Sequence, residues 1–275
     1  MEKRIRLLCL DIDGTLLDSR KELPQENVQA VRYAMDRGVT VAIASGRSMS
    51  GMLPLFKTLG IRPCGVGLNG GLILDGDVVK QTIMDAELVQ IVIAAAERYD
   101  SQIFLSTADC NYTNGKVSDH LKKLIENGGL KSDFVYCNDF DDLREKAAEH
   151  KEEIVKIAIK EVEEDHYEQL RKELGQMGLF HVAKSDTFYV DINPLGCNKG
   201  MGVRELAEYL NIPMEEVMCI GDNENDEEMV EIAGVGVAMA NAVETVKRKA
   251  DFMTGDNDHA GVARAVYHYI GGDEL

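Results

Sequence analysis

A strand–helix–strand pattern near the start of the sequence constrains the fold more than any other feature. The mainly apolar run 5–12 comes first, a helical pattern opens at Pro24 and ends at Gly38, and a second apolar run occupies 39–44. Strands buried on both faces form such continuous apolar runs. A helix between two of them is the βαβ unit from which parallel sheets are built. The sequence therefore predicts an α/β fold.

The same alternation returns in the last third of the chain. Its predicted elements are a helix at 203–210, a strand at 217–220, a helix at 227–232 and a strand at 235–239. Buried strands joined by helices at both ends of the chain fit one open parallel sheet with helices on its faces. We predict that both ends together form a Rossmann-like parallel-sheet core.

The middle of the chain follows a different pattern. Val155, Ile157 and Ile159 alternate with Lys156, Ala158 and Lys160, which predicts a strand with one solvated face. Half-buried strands mixed with amphipathic helices are typical of an α+β module. We therefore predict a discontinuous core domain at 1–82 plus 192–275, interrupted by an inserted α+β cap domain at 83–191.

The charge balance narrows the possible partners. Lys and Arg number 30 against 48 Asp and Glu, which gives a formal net charge of −18. Such a surface repels nucleic acid and anionic lipid, because binding either of them needs a basic patch. No apolar run reaches the length of a membrane span, the run 7–10 is too short for a secretion signal, and no cysteine cluster has zinc spacing. We expect a cytoplasmic protein without nucleic acid or membrane as a partner.

The sequence Asp-Ile-Asp-Gly-Thr at 11–15 lies where the first predicted strand ends. Open α/β sheets bind ligands at the carboxyl ends of their strands. If the chain turns after Asp11, which Gly14 permits, the carboxylates of Asp11 and Asp13 face one cavity. Close carboxylates repel each other unless a cation lies between them, and Mg²⁺ suits such hard oxygen ligands. An acidic turn that caps a helix is the alternative interpretation.

Three further stretches of sequence indicate a binding site when they are considered together with Asp11 and Asp13. The acidic run 221–226 follows a predicted strand, and alone it is typical of a solvated loop. Ser45 and Gly46 end another strand, where a hydroxyl and backbone amides can bind a phosphoryl oxygen. Lys199 begins a predicted helix, where a cation is unfavourable unless an anion lies nearby. In combination these stretches predict oxygen ligands for one Mg²⁺ and donors for a phosphate.

In this order the residues resemble the four motifs of the haloacid dehalogenase-like hydrolase superfamily. The matching residues are Asp11-Ile12-Asp13-Gly14-Thr15, Ser45, Lys199, and Gly221-Asp222 with Asn225-Asp226. The long insert resembles the type IIB cap of the Cof-like subgroup, and so do Asn-Gly-Gly at 69–71 and Asp-Ile-Asn-Pro at 191–194. The chain departs from the subgroup at Asn198, where Ser is common, and at Ala260, where Asp is frequent. Both departures concern substrate fit rather than the chemistry.

The resemblance implies a two-step phosphoryl transfer. Asp11 would be the nucleophile that forms an aspartyl-phosphate, and Asp13 would be the general acid and base. Mg²⁺ would be held by Asp11, by the backbone carbonyl of Asp13 and by Asp222. The phosphate would be bound by backbone amides near Ile12 and Gly46 and by the side chains of Ser45, Lys199 and Asn225. Thr15 would fix the turn, and Asp226 would orient Lys199 or a metal-bound water.

The resemblance thus implies a Mg²⁺-dependent phosphohydrolase that acts on small organic phosphomonoesters, with sugar phosphates as the leading class. A phosphosugar mutase of the same superfamily remains an alternative, because both enzyme types share the core motifs. A phosphoacceptor switch or a binding module is a second alternative. Asp13 favours the enzyme, since a second acid promotes turnover whereas a switch must retain its phosphate.

Overall fold

The chain divides into two units in the computed structural model, which describes residues 4–115, 134–186 and 188–271. Unit 1 takes its described residues from Met1–Arg47, Met52–Lys80 and Cys197–Leu275. Unit 2 takes them from Ser48–Gly51 and Gln81–Gly196. The predicted core and cap boundaries, 82/83 and 191/192, stay a prediction.

Strands and helices alternate along most of the chain. The strands are β1 (Leu7–Leu10), β2 (Thr40–Ala44), β3 (Cys64–Gly67), β4 (Leu72–Asp75), β5 (Asp77–Gln81), β6 (Gln102–Ser106), β7 (Asn111–Thr113), β8 (Phe134–Tyr136), β9 (Lys156–Lys160), β10 (Phe180–Asp186), β11 (Tyr189–Pro194), β12 (Val217–Gly221), β13 (Val235–Ala238) and β14 (Phe252–Met253). The α-helices are α1 (Gln25–Asp36), α2 (Met49–Leu59), α3 (Ala86–Glu97), α4 (Phe140–Glu149), α5 (Glu164–Gln176), α6 (Lys199–Tyr209), α7 (Glu227–Ile232), α8 (Glu244–Lys249) and α9 (Gly261–Gly271). Short 3₁₀ turns occupy Leu68–Gly70, Met214–Glu216, Glu224–Asp226 and Asn257–His259. None of the helices in the described ranges has the length and apolar composition that a bilayer crossing requires.

The sheet of unit 1 has the strand order β14-β13-β12-β1-β2-β3-β4-β5. Its centre is parallel: Cys9 of β1 lies opposite Ala42 of β2 on one side and opposite Cys219 of β12 on the other. All four residues of β1 are buried, as the apolar run predicts. The predicted α/β core with a parallel sheet is therefore confirmed. Because β1, β2 and β12 run the same way, the residues that follow them meet at one edge of the sheet.

The sheet of unit 2 has the order β10-β11-β9-β6-β7-β8, and its described helices α3, α4 and α5 share a buried apolar cluster with it. Ile157 and Ile159 of β9 lie in that cluster, as their alternation predicts. The prediction that the opposite face of β9 is solvated is wrong at Ala158, which is 7% exposed, and at Lys156, which is only 6% exposed. Its Nζ lies 2.8 Å from Oδ2 of Asp191, which is also buried. A paired and hydrogen-bonded charge can be buried where an isolated one cannot.

Candidate active site

Three predicted residues lie directly after neighbouring strands of unit 1. Asp11 follows β1, and its backbone N–H still donates to the carbonyl of Ile220 at 3.1 Å. Ser45 follows β2, and its N–H donates to the carbonyl of Val66 at 2.8 Å. Asp222 follows β12. These backbone bonds continue the sheet to its edge, so the three side chains are positioned by rigid elements rather than by flexible loops.

Lys199 is the buried cation of this site. Its Nζ lies 2.6 Å from Oδ1 of Asp11 and 2.6 Å from Oδ1 of Asp226, and the side chain is 1% exposed. Burial lowers the pKa of Lys199, but the two carboxylates raise it above its ordinary value, so the ammonium stays charged. Lys199 is also the first residue of α6. The side chain of Asn198 caps that helix by accepting the N–H of Met201 at 2.8 Å, and Asn and Ser are both favourable in this role.

Three carboxylates lie close to one another around this lysine. Oxygens of Asp11, Asp222 and Asp226 all lie within 4.8 Å of one another. Burial raises the pKa of Asp11 well above its usual range, and the charges of Asp226 and Asp222 add to that effect while Lys199 opposes it. Burial, and then the charge of Asp226, also raise the pKa of Asp222 to about 7. Such a set of hard, mutually repelling oxygens fits a divalent cation such as Mg²⁺.

Asp226 differs from the other two carboxylates because both of its oxygens have partners. Oδ1 contacts Lys199, and Oδ2 accepts the backbone N–H groups of Asp222 and Asn223 at 2.9 and 3.0 Å. It is fully buried, and a Cβ added to Gly221 would lie 2.5 Å from the Cβ of Asp226. Asp226 therefore holds the lysine and the loop at 222–223 by direct contacts, while its supporting role in catalysis stays a prediction.

The turn after Asp11 packs against Asp222 through Gly14 and Thr15. Gly14 has φ +87°, and a Cβ there would lie 2.4 Å from Oδ2 of Asp222. Only glycine fits both the conformation and the space. The hydroxyl of Thr15 donates to Oδ1 of Asp222 at 2.7 Å. The turn that the sequence predicts at Gly14 thus packs directly on Asp222.

Asp13 has a different environment from Asp11. Its carboxylate accepts Nη2 of Arg47 at 2.8 Å, Nε of Arg47 at 3.0 Å and Nζ of Lys21 at 3.0 Å. Burial raises the pKa of Asp13, but the charges and hydrogen bonds of Arg47 and Lys21 lower it by more. The pKa of this carboxyl therefore lies below its ordinary value. The general acid expected at this position must carry a proton before it can donate one, whereas this arrangement favours the ionised carboxylate. Two neighbouring aspartates whose pKa values are moved in opposite directions suit different chemical roles.

Most of the predicted phosphate-binding residues are buried around the same edge of the sheet, and Gly46 is half-buried. Ser45 is 2% and Asn225 is 7% exposed, while Ile12 is fully buried. Oγ of Ser45 accepts the backbone N–H of Arg47 at 3.3 Å, which orders the turn that contains Gly46. Nδ2 of Asn225 donates to Oδ1 of Asn69 at 3.1 Å. A hydroxyl, an amide and a buried ammonium therefore lie on elements that converge, as binding of a phosphate requires.

Sequence reasoning missed two asparagines that anchor the turn after Asp13. Asn241 donates to the carbonyl of Gly14 at 2.8 Å, and Asn257 donates to the carbonyl of Leu17 at 3.0 Å. The backbone N–H of Asn257 in turn donates to Oδ1 of Asn241 at 3.1 Å. Lone asparagines in polar loops show no periodicity or spacing that would have identified them, since Asn is common in turns for local reasons.

Comparisons with known proteins agree with this geometry. A family model described as haloacid dehalogenase-like hydrolase matches residues 8–266. The 5-amino-6-(5-phospho-D-ribitylamino)uracil phosphatase YcsE of Bacillus subtilis is 28% identical over 268 residues, which cover 97% of this chain and 96% of that protein. Phosphatase YwpJ of the same bacterium is 29% identical over 287 residues, covering 97% of this chain and all of that protein. A solved haloacid dehalogenase-like hydrolase from B. subtilis superposes with a TM-score of 0.85 at 28% identity, covering 96% of this chain and 99% of that one.

Proposed function

The chain belongs to the haloacid dehalogenase-like hydrolases and is a phosphatase, and we propose that it hydrolyses small phosphate monoesters with Mg²⁺ through an aspartyl-phosphate on Asp11. The observation that carries this proposal is the double contact of Lys199 with Asp11 and Asp226. A fixed cation beside a strand-end carboxylate, within a cluster that also suits a metal, is the charge arrangement that phosphoryl transfer needs.

In the first step, an oxygen of Asp11 attacks the phosphorus atom, and the bond to the leaving oxygen breaks. Lys199 neutralises charge on the nucleophile and on the phosphoryl group, while Ser45 and Asn225 donate hydrogen bonds to the phosphoryl oxygens. Asp11, Asp222 and the backbone carbonyl of Asp13 would hold Mg²⁺. When bound, the metal neutralises the carboxylates and the charge that develops on the transferring group.

Asp13 serves both steps. In the first step it gives a proton to the leaving oxygen. Asp13 must therefore lose its contacts with Arg47 and Lys21 and become protonated beforehand, because the charges of these two residues favour its ionised form. In the second step the ionised Asp13 takes a proton from water. The water oxygen then attacks phosphorus, the bond to Asp11 breaks, and free phosphate leaves. The contacts seen for Asp13 thus correspond to its form as a base.

The comparisons support a class of substrate. The relative YcsE is named for a compound whose phosphate ester lies on a ribityl chain, a sugar alcohol, and that protein shares 28% identity over almost the whole of both chains. We infer that the substrate here is a small phosphorylated sugar or polyol. We also propose that the inserted domain, predicted at 83–191, acts as the cap that selects the leaving group.

The test is phosphate release from a panel of sugar and polyol phosphates, in Mg²⁺ and in EDTA, for the wild type and Asp11→Asn. Asp77→Asn, at an exposed position of β5, is the matched control. We expect metal-dependent release that Asp11→Asn abolishes and Asp77→Asn leaves unchanged. A stable acyl-phosphate without release on any ester would instead indicate a phosphoacceptor switch, and transfer to a second sugar rather than to water would indicate a mutase.

A further inference from the structure

Three consecutive residues beside the site have a left-handed backbone. Leu68 has φ +48°, Asn69 has φ +55° and Gly70 has φ +104°. Leu68 and Asn69 are 1% and 2% exposed. Residues with a side chain rarely adopt positive φ, and a buried leucine there is unusual. Such strain persists only where the surrounding contacts over-determine it, and it occurs most often at functional sites.

The contacts that impose this conformation come from the site itself. The N–H of Leu68 donates to the carbonyl of Arg47, and the N–H of Asn69 donates to the carbonyl of Ser45, both at 3.0 Å. On the other side, a Cβ added to Gly70 would lie 2.1 Å from the carbonyl oxygen of Asn198, the residue that caps α6. The segment 68–70 is therefore held between the turn that contains Ser45 and the N-terminal end of α6, the helix that begins at Lys199.

This conformation brings the side chain of Asn69 to Asn225. Oδ1 of Asn69 accepts one N–H of the Asn225 amide at 3.1 Å, and both side chains are more than nine-tenths buried. An amide has two N–H donors in one plane, so fixing the first also fixes the direction of the second. Asn225 lies in the 3₁₀ turn Glu224–Asp226, next to the carboxylate that orients Lys199. Asn69 is thus bonded at once to two of the residues assigned to phosphate binding.

We propose that Asn69 is a positioning residue of the phosphatase: it sets the Asn225 amide and the Ser45 backbone so that both meet the transferring phosphoryl group. This inference rests on the proposed function. The residue type supports it, because glycine would adopt the left-handed conformation of residue 69 at less cost than asparagine does. Glycine provides that freedom at the next position, Gly70. What asparagine adds at 69 is the oxygen that accepts Asn225.

Asn69→Gly separates the side chain from the backbone, since glycine keeps the conformation and the N–H bond to Ser45 but removes the acceptor. The matched control is Asn211→Gly, because Asn211 also has positive φ (+54°) but is exposed and follows the end of α6. A small misplacement of a binding group commonly lowers the rate by up to about 100-fold. We expect kcat/KM to fall by roughly 10- to 100-fold in Asn69→Gly and to stay within about twofold in Asn211→Gly, measured at a temperature where both variants are folded.

A double-mutant cycle with Asn225→Ala decides how Asn69 acts. If Asn69 works through Asn225, the double variant loses no more than Asn225→Ala alone, whereas multiplied losses overturn the proposal. If Asn69→Gly does not fold, Asn69→Ala takes its place in the cycle with Asn211→Ala as its control, because both variants then place a Cβ without an amide at the same positive φ. Calorimetric binding of inorganic phosphate provides a second readout, expected to weaken in Asn69→Gly and unchanged in Asn211→Gly. A wild type that hydrolyses no ester refutes the proposed function, while an active wild type with an unaffected Asn69→Gly refutes only this inference.

Discussion

Replacing Asp222 with asparagine should stabilise the metal-free protein while abolishing its activity. An oxygen of Asp222 lies within 4.8 Å of oxygens of Asp11 and Asp226. Oδ1 of Asp222 also accepts the hydroxyl of Thr15. The amide oxygen of the substituted side chain can still accept that hydroxyl, so Asp222→Asn removes a charge and changes little else. The substitution therefore separates the electrostatic cost of the cluster from its packing.

The magnitude follows from the raised pKa of Asp222. Burial and the charge of Asp226 move this pKa from 3.8 to about 7. A carboxyl whose pKa is higher in the folded state contributes stability below pH 4, and that contribution is lost as the pH rises through about 7. At 1.36 kcal/mol for each of roughly 3 pH units, the loss is about 4 kcal/mol. Because neighbouring carboxyls share the proton, we expect Asp222→Asn to gain on the order of 2–4 kcal/mol over the wild type at pH 8 in EDTA.

Urea unfolding at several pH values between 4 and 8, in EDTA and in Mg²⁺, measures this difference. The gain should be mostly lost by pH 4, where the folded wild-type carboxyl is protonated and the unfolded one, at its ordinary pKa of 3.8, is already about half protonated. Mg²⁺ should stabilise the wild type, by about 2.7 kcal/mol at a hundred times its dissociation constant, and leave Asp222→Asn unchanged. The exposed Asp77→Asn is again the control. An Asp222→Asn protein that is less stable than the wild type at pH 8 in EDTA, or a difference that does not vary with pH, would refute this reasoning.

Two further outcomes follow from the charges of the site. Lys199→Met should destabilise the fold by about 3–5 kcal/mol in urea unfolding at neutral pH, because it leaves two buried carboxylates facing each other; a loss below about 1 kcal/mol would contradict the pairing inferred for Lys199. Arg47→Met should move the limb of the pH–rate profile that reports Asp13 to higher pH, because Arg47 lowers the pKa of that carboxyl. The exposed Arg32→Met is a suitable control for charge alone, and an unshifted limb would mean that Asp13 does not govern it.

The clustering of the candidate residues at one edge of the sheet could be predicted, because these residues directly follow apolar strands. Asp11 and Asp222 come after β1 and β12, and the parallel pairing of these strands, which their apolar sequence indicates, brings the two residues together. The turn at Gly14 could also be predicted, since Asp-Gly directly after a strand is a strong local signal for a turn. These parts of the site are specified by short stretches of sequence whose local structure does not depend on distant residues.

The remaining contacts depend on distant parts of the chain. Lys156 belongs to an alternating strand pattern, and only its pairing with Asp191, 35 residues away, explains its burial. Nothing in the sequence pairs Arg47 with the carboxylate of Asp13, 34 residues away. The role of Asn69 needs the contact with Asn225 across 156 residues. A single sequence carries no local signal for such pairs, so only the folded structure reveals them.

The position of β1 between β2 and β12 has a consequence for the newly made protein. Asp11 leaves the ribosome before Lys199, which follows 188 residues later, and before Asp226, which follows later still. At about 5–20 residues per second, that gap lasts roughly 10–40 s. Through this interval β1 has one neighbouring strand and one open edge, which is the kind of surface that chaperones shield. The nascent chain therefore carries Asp11, the proposed nucleophile, without Lys199 and Asp226, and the site can assemble only after the helix that begins at Lys199 and the turn after β12 have been made.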